Sequence, residues 1–177
     1  MVTSEDKREF LEKDLYDALR WTFVSAVAWH AGDGRPERVL GMNTNFVQTR
    51  ALYEFYFTRG SEPDDARASH FCQAWTKPES PLYLKYMRRG TPANKRVFHL
   101  VYGRSSAANA GGPGHDGSDH LKNQVLAFAK DLRRITERFI ECVEPQFHSI
   151  VRATLDKALV EAEKTANFYG IPNPFVP

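Results

Sequence analysis

Residues 121–142 read LKNQVLAFAKDLRRITERFIEC, and in this stretch Leu121, Val125, Phe128, Leu132, Ile135, Phe139 and Cys142 recur at alternating spacings of four and three. Such a seven-residue repeat lines one face of a helix, whereas a strand would need apolar residues at every second position. Pro145 must end or kink this helix. Beyond it, Phe147, Ile150, Val151, Leu155, Ala158, Leu159 and Ala162 carry a second apolar stripe through a last amphipathic helix. The closing residues GIPNPFVP contain three prolines, so 171–177 are expected as an extended tail.

The same periodicity governs the upstream half. Thr3 and Ser4, followed by acidic residues, suit a helix start, and Leu11, Leu15, Leu19, Thr22, Ala26 and His30 then predict one long helix that stops near Gly32 and Gly34. A second helical pattern runs from about Glu37 to Thr58, interrupted by Gly41, and ends before the turn at Gly60. Asp64 or Asp65 is placed to cap a short helix through Phe71. Residues 75–92, WTKPESPLYLKYMRRGTP, read as a loop with a turn or two of helix around Leu82 to Met87. Thr91 as N-cap and Pro92 at the first helical position then open another helix. Residues 105–118, SSAANAGGPGHDGS, form a flexible Gly-rich loop that either gates a site or is slack. No convincing period-two strand occurs anywhere. The expected fold is therefore all-α: one helical domain over 1–170, a bundle of five or six helices.

A chain of 177 residues with 42% hydrophobic side chains can bury one proper core. Its 24 basic and 22 acidic side chains leave a formal charge of +2, which decides nothing about nucleic acid. The distribution says more. From Ser80 to His115 there is no Asp or Glu, while Lys85, Arg88, Arg89, Lys95, Arg96 and Arg104 fall inside that window. This is either a phosphate-facing surface or a solvated face whose acidic partners come from elsewhere in the fold. Two cysteines without metal-site spacing, Cys72 and Cys142, argue against a disulfide framework or a zinc site and read as buried thiols. No apolar run is long enough to cross a bilayer, and MVTSEDKREF is too charged for a signal sequence, so a soluble cytoplasmic protein is expected.

Within the basic window, residues 93–104 read ANKRVFHLVYGR. At about 100° per residue, Val97, Phe98, Leu100 and Val101 turn toward the core while Lys95 and His99 share the opposite edge. An imidazole can exchange a proton at neutral pH, and an ammonium one turn away can hold an anion against it. The competing reading is a boundary histidine bonded to a neighbouring helix. On the second helix, Arg50 and Glu54 stand four residues apart among aromatics, as an ordinary ion pair or as a polar pair facing the first. Tyr53, Tyr56, Tyr83 and Tyr86 lie near basic residues, where they are either core or platforms for bases. The G-x-G-x-x-G at residues 112–117 follows no strand, and His115, Asp116, Asp119 and His120 are better explained by a helix cap than by a metal.

Three stretches together resemble the HEPN superfamily of helical proteins: Arg50, Leu52, Glu54 and Phe55; Asp64, Asp65, Ala68 and Phe71; then Asn94, Lys95, His99, Leu100, Tyr102 and Arg104. The resemblance covers about residues 43 to 104 and implies a HEPN-like bundle that works as a homodimer. It further implies a metal-independent endoribonuclease of toxin or defence type, without cofactor. His99 would be the general acid or base, Lys95 and Arg50 would bind phosphate, and Glu54 would hold Arg50. Arg88, Arg89, Asn94, Arg96, Tyr102 and Arg104 would contact RNA. The sequence departs from the family's pattern of Arg four to six residues before the histidine, since Lys95 stands four before His99 and Arg96 three before it. That departure leaves a second expectation beside the first, a non-catalytic dimerising scaffold or sensor that binds a partner protein.

Overall fold

A computed structural model describes residues 3–31, 36–58, 65–88 and 124–176, with the backbone alone described for 36–43. Six α-helices occur among them: α1 (Ser4–Glu12), α2 (Asp14–Ala31), α3 (Pro36–Phe57), α4 (Ala68–Phe71), α5 (Val125–Cys142) and α6 (Pro145–Tyr169). A single π-helical turn, Tyr83–Met87, lies between α4 and α5, and no strand is found among the described residues. The protein is an all-α bundle. In it α2 packs along both α3 and α6, while α5 touches α2, α3 and α6.

The apolar rows of the sequence become the core. Val125, Phe128, Leu132, Ile135 and Phe139 of α5 are fully buried, and so are Leu19, Phe23 and Ala26 of α2 and Val151, Leu155, Ala158 and Ala162 of α6. Each large side chain removed from water in this way contributes about 1.5–3 kcal/mol. Phe139 is the hub of an aromatic cluster, with ring centroids 5.5 Å from Phe55, 5.8 Å from Tyr56 and 5.6 Å from Trp75. All three contacts are edge-to-face, the arrangement that ring quadrupoles favour.

Several boundaries differ from expectation. The expected long first helix is broken at Lys13. Near this break the buried Thr154 hydroxyl of α6 donates to the Leu11 carbonyl at 3.1 Å, tying the end of α1 to α6. At the N-terminus, the Thr3 hydroxyl accepts from the Asp6 amide at 3.1 Å while the Asp6 carboxylate accepts from the Thr3 amide at 2.8 Å. Gly41 does not interrupt α3. The short α4 begins after Arg67, which supplies no side-chain cap, so Asp65 does not start it.

Pro145 sits in the first turn of α6, and Gly170 ends that helix at φ 67°, where a glycine avoids the Cβ penalty. The tail then returns to the bundle. Phe175 is buried with its ring 5.1 Å from Phe23, and the Arg133 guanidinium donates to the Phe175 carbonyl.

The cysteines are a correction. Cys72 and Cys142 are joined in a disulfide with Cα atoms 5.8 Å apart, not held as separate thiols. The bond ties the segment after α4 to the last residue of α5. Beside it the Glu144 amide donates to the Phe71 carbonyl at 2.8 Å, and Lys7 of α1 pairs with Glu144 at 3.0 Å. Seventy residues of sequence separate the two sulfurs, and neither pattern nor spacing announced that they would meet.

Candidate nucleic-acid interface

One edge of α3 remains in solvent. Val47, Ala51, Glu54 and Thr58 recur on it at helical spacing and are exposed, while Leu52, Tyr53, Phe55, Tyr56 and Phe57 point inward. On this edge Arg50 Nε donates to Glu54 Oε1 at 2.8 Å, with the side chains 34% and 52% exposed. The pair expected from sequence therefore exists, and it is accessible.

Next to it lies the π-helical turn. Tyr83 stacks nearly flat on Phe57, with centroids 4.2 Å apart and planes 19° from parallel, and its ring is only half-buried. Burial pushes the Tyr83 hydroxyl above its ordinary pKa; Arg88 opposes that shift and Glu54 adds to it. Charges from α3 and from the end of the turn thus converge on one phenol. Glu54 and Arg88 are thus both near enough to act on Tyr83 electrostatically, and Arg88 is exposed within the basic window.

What fixes the turn against α3 is a largely buried carboxylate that the sequence reading passed over. Asp131 Oδ2 accepts from Tyr53 Oη at 2.8 Å and from Ser80 Oγ at 2.5 Å, and Asp131 Oδ1 accepts from Arg134 at 2.8 Å. Ser80 Oγ in turn accepts from the Tyr83 amide at 3.0 Å, capping the turn, and Arg134 also donates to the Glu79 carbonyl at 2.7 Å. The Asp131 side chain is 11% exposed, and three donors compensate a charge that would otherwise be costly to bury. Burial, then the adjacent carboxylate, raises the Tyr53 hydroxyl far above its ordinary pKa, so it stays a donor. The only hint in sequence is position: Asp131 stands directly before the buried Leu132, at the margin of the apolar row.

The four tyrosines considered as base platforms now separate. Tyr53, Tyr56 and Tyr86 are buried and belong to the core, and Tyr83 alone of the four keeps accessible surface. Arg89, Asn94, Lys95, Arg96, His99, Tyr102 and Arg104 lie outside the described residues, as does the loop at 105–118. Among the described residues, no group of three or more His, Cys, Asp or Glu side chains is placed to hold a metal ion.

Concavities occur among the described residues. One of about 540 Å³ is bordered by Thr58, Ser69, Trp75 and Lys77; another of about 360 Å³ runs between Lys130, Arg133 and the tail at Phe175. Among the described residues, no helix is long and apolar enough to cross a membrane. No family model, curated protein or solved structure matches the chain.

Proposed function

We propose that the chain is a HEPN-like, metal-independent endoribonuclease of toxin or defence type that acts as a homodimer. His99 takes the proton of a ribose 2′-hydroxyl or returns one to the leaving 5′-oxygen, and Lys95 and Arg50 compensate the charge that builds on phosphorus. Glu54 orients Arg50. The observation that carries this reading is the accessible Arg50–Glu54 pair, whose Glu54 acts electrostatically on the same tyrosine, Tyr83, as Arg88 of the acid-free basic window.

The test is incubation of purified protein with mixed transfer and messenger RNA in EDTA, beside His99→Ala, with mapping of fragment ends. Cleavage by the wild type alone, leaving 2′,3′-cyclic phosphates, is the expected outcome. Intact RNA in both samples refutes the nuclease. A second reading, a non-catalytic module that docks a protein, is favoured by one different observation: Phe168 of α6 is 83% exposed and Val160 on the same helix 47% exposed.

A further inference from the structure

We propose that Tyr83 is a stacking platform for a nucleobase of single-stranded RNA, an inference that rests on the RNA-directed reading above. Stacking needs a flat ring held rigidly from behind with accessible surface in front, next to cations that can track a phosphate backbone. Tyr83 has such a backing and keeps part of its surface accessible. Phe57 backs it at 4.2 Å and the tilted Tyr53 ring lies 5.6 Å away, so two side chains of one helix contact the ring. Its own backbone amide is fixed by Ser80, which Asp131 anchors. Among the described residues its hydroxyl has no hydrogen-bond partner, unlike those of Tyr53 and Tyr56, which are committed to Asp131 and Thr136. Arg88 and Glu54, the latter paired with Arg50, are near enough to act electrostatically on its hydroxyl. A stacked ring recognises any base by its π-face, so the site takes single-stranded RNA with little sequence preference, and a duplex, whose bases are already stacked, is excluded.

The test measures binding of two fluorescent 2′-O-methyl oligoribonucleotides of equal length, one bearing bases and one abasic, to full-length protein. Neither oligomer can be cleaved through a 2′-hydroxyl, so binding is read without turnover. Tyr83→Leu should weaken binding of the base-bearing oligomer by about 5- to 100-fold, the loss of one base–aromatic stack, and leave the abasic oligomer unchanged. Tyr83→Trp keeps a flat ring on Phe57 and should bind the base-bearing oligomer at least as tightly as the wild type, which separates stacking from folding. Equal binding by Tyr83→Leu and wild type, or equal losses on both oligomers, overturns the platform while leaving the RNA-directed reading in place. Failure of the wild type to bind either oligomer overturns both.

Discussion

Reducing the Cys72–Cys142 bond should lower the melting temperature by several degrees without unfolding the protein. The two residues are 70 apart in sequence, and a cross-link that closes a loop of this length removes about 15 cal/mol/K from the unfolded chain, or about 4.4 kcal/mol at 25 °C. Measured bonds commonly deliver about 2–4 kcal/mol, because unfolded chains are already compact. With about 2.1 cal/mol/K of unfolding entropy per residue, the 177 residues give roughly 0.37 kcal/mol/K. Loss of about 2 to 4.4 kcal/mol therefore corresponds to a drop of roughly 5–12 °C. The fold should persist, since Phe71 remains packed on Phe139 and the Glu144 amide remains bonded to the Phe71 carbonyl.

Calorimetry of the oxidised protein, with and without an excess of phosphine reductant, reads the difference. The double variant Cys72→Ala with Cys142→Ala should match the reduced protein. Two titratable thiols in the denatured, unreduced protein, or a shift on reduction below about 2 °C, would refute the reasoning.

Other expectations are equally direct. Phe139→Ala empties the centre of the aromatic cluster and should cost about 3–5 kcal/mol in urea denaturation; a loss under about 1 kcal/mol would show that its neighbours collapse into the space. Asp131→Ala strands the buried donors of Tyr53 and Ser80 and should cost about 2–4 kcal/mol, checked by the same denaturation. Folding raises the pKa of Tyr53 and Tyr56 above the unfolded value of 10.0, in both cases chiefly through burial. Their contribution is therefore intact below pH 10 and lost above it, at up to about 1.4 kcal/mol per pH unit for each tyrosine. Urea midpoints that stay level from pH 10 to about 12 would contradict this. Arg50→Ala should leave the melting temperature within about 2 °C, since an exposed pair contributes little, yet weaken RNA binding; a large thermal shift would assign the pair a structural role.

The helical character of the chain was legible because each apolar row has the period of the surface it covers. Val125 to Phe139 could be named as core from spacing alone, and so could Leu11, Leu15 and Leu19. Features that depend on a distant residue were not legible. The end of α1 is tied to Thr154 of the last helix, and the disulfide joins positions that share no local pattern. Asp131 reads in sequence as an exposed charge beside a stripe, and only the arrival of Tyr53 and Ser80 from other segments makes it a buried acceptor. Of the expected site, Arg50, Glu54 and Arg88 lie among the described residues, and the motif around His99 lies outside them.

The stretch YEFYF, residues 53–57, shows how a run that is ambiguous in sequence resolves in three dimensions. Four aromatics in five positions fit no single amphipathic stripe. Here Tyr53 turns to Asp131, Phe55 to Phe71 and Phe139, Tyr56 to Thr136 and Trp75, and Phe57 beneath Tyr83. The helix is enclosed on most sides, and the narrow edge left over is the one that carries Arg50 and Glu54. A surface pair at this spacing contributes only a few tenths of a kcal/mol to a helix. The same enclosure makes that surface rigid, because Tyr83 and the Arg50–Glu54 pair are held by side chains whose own positions are fixed in the core.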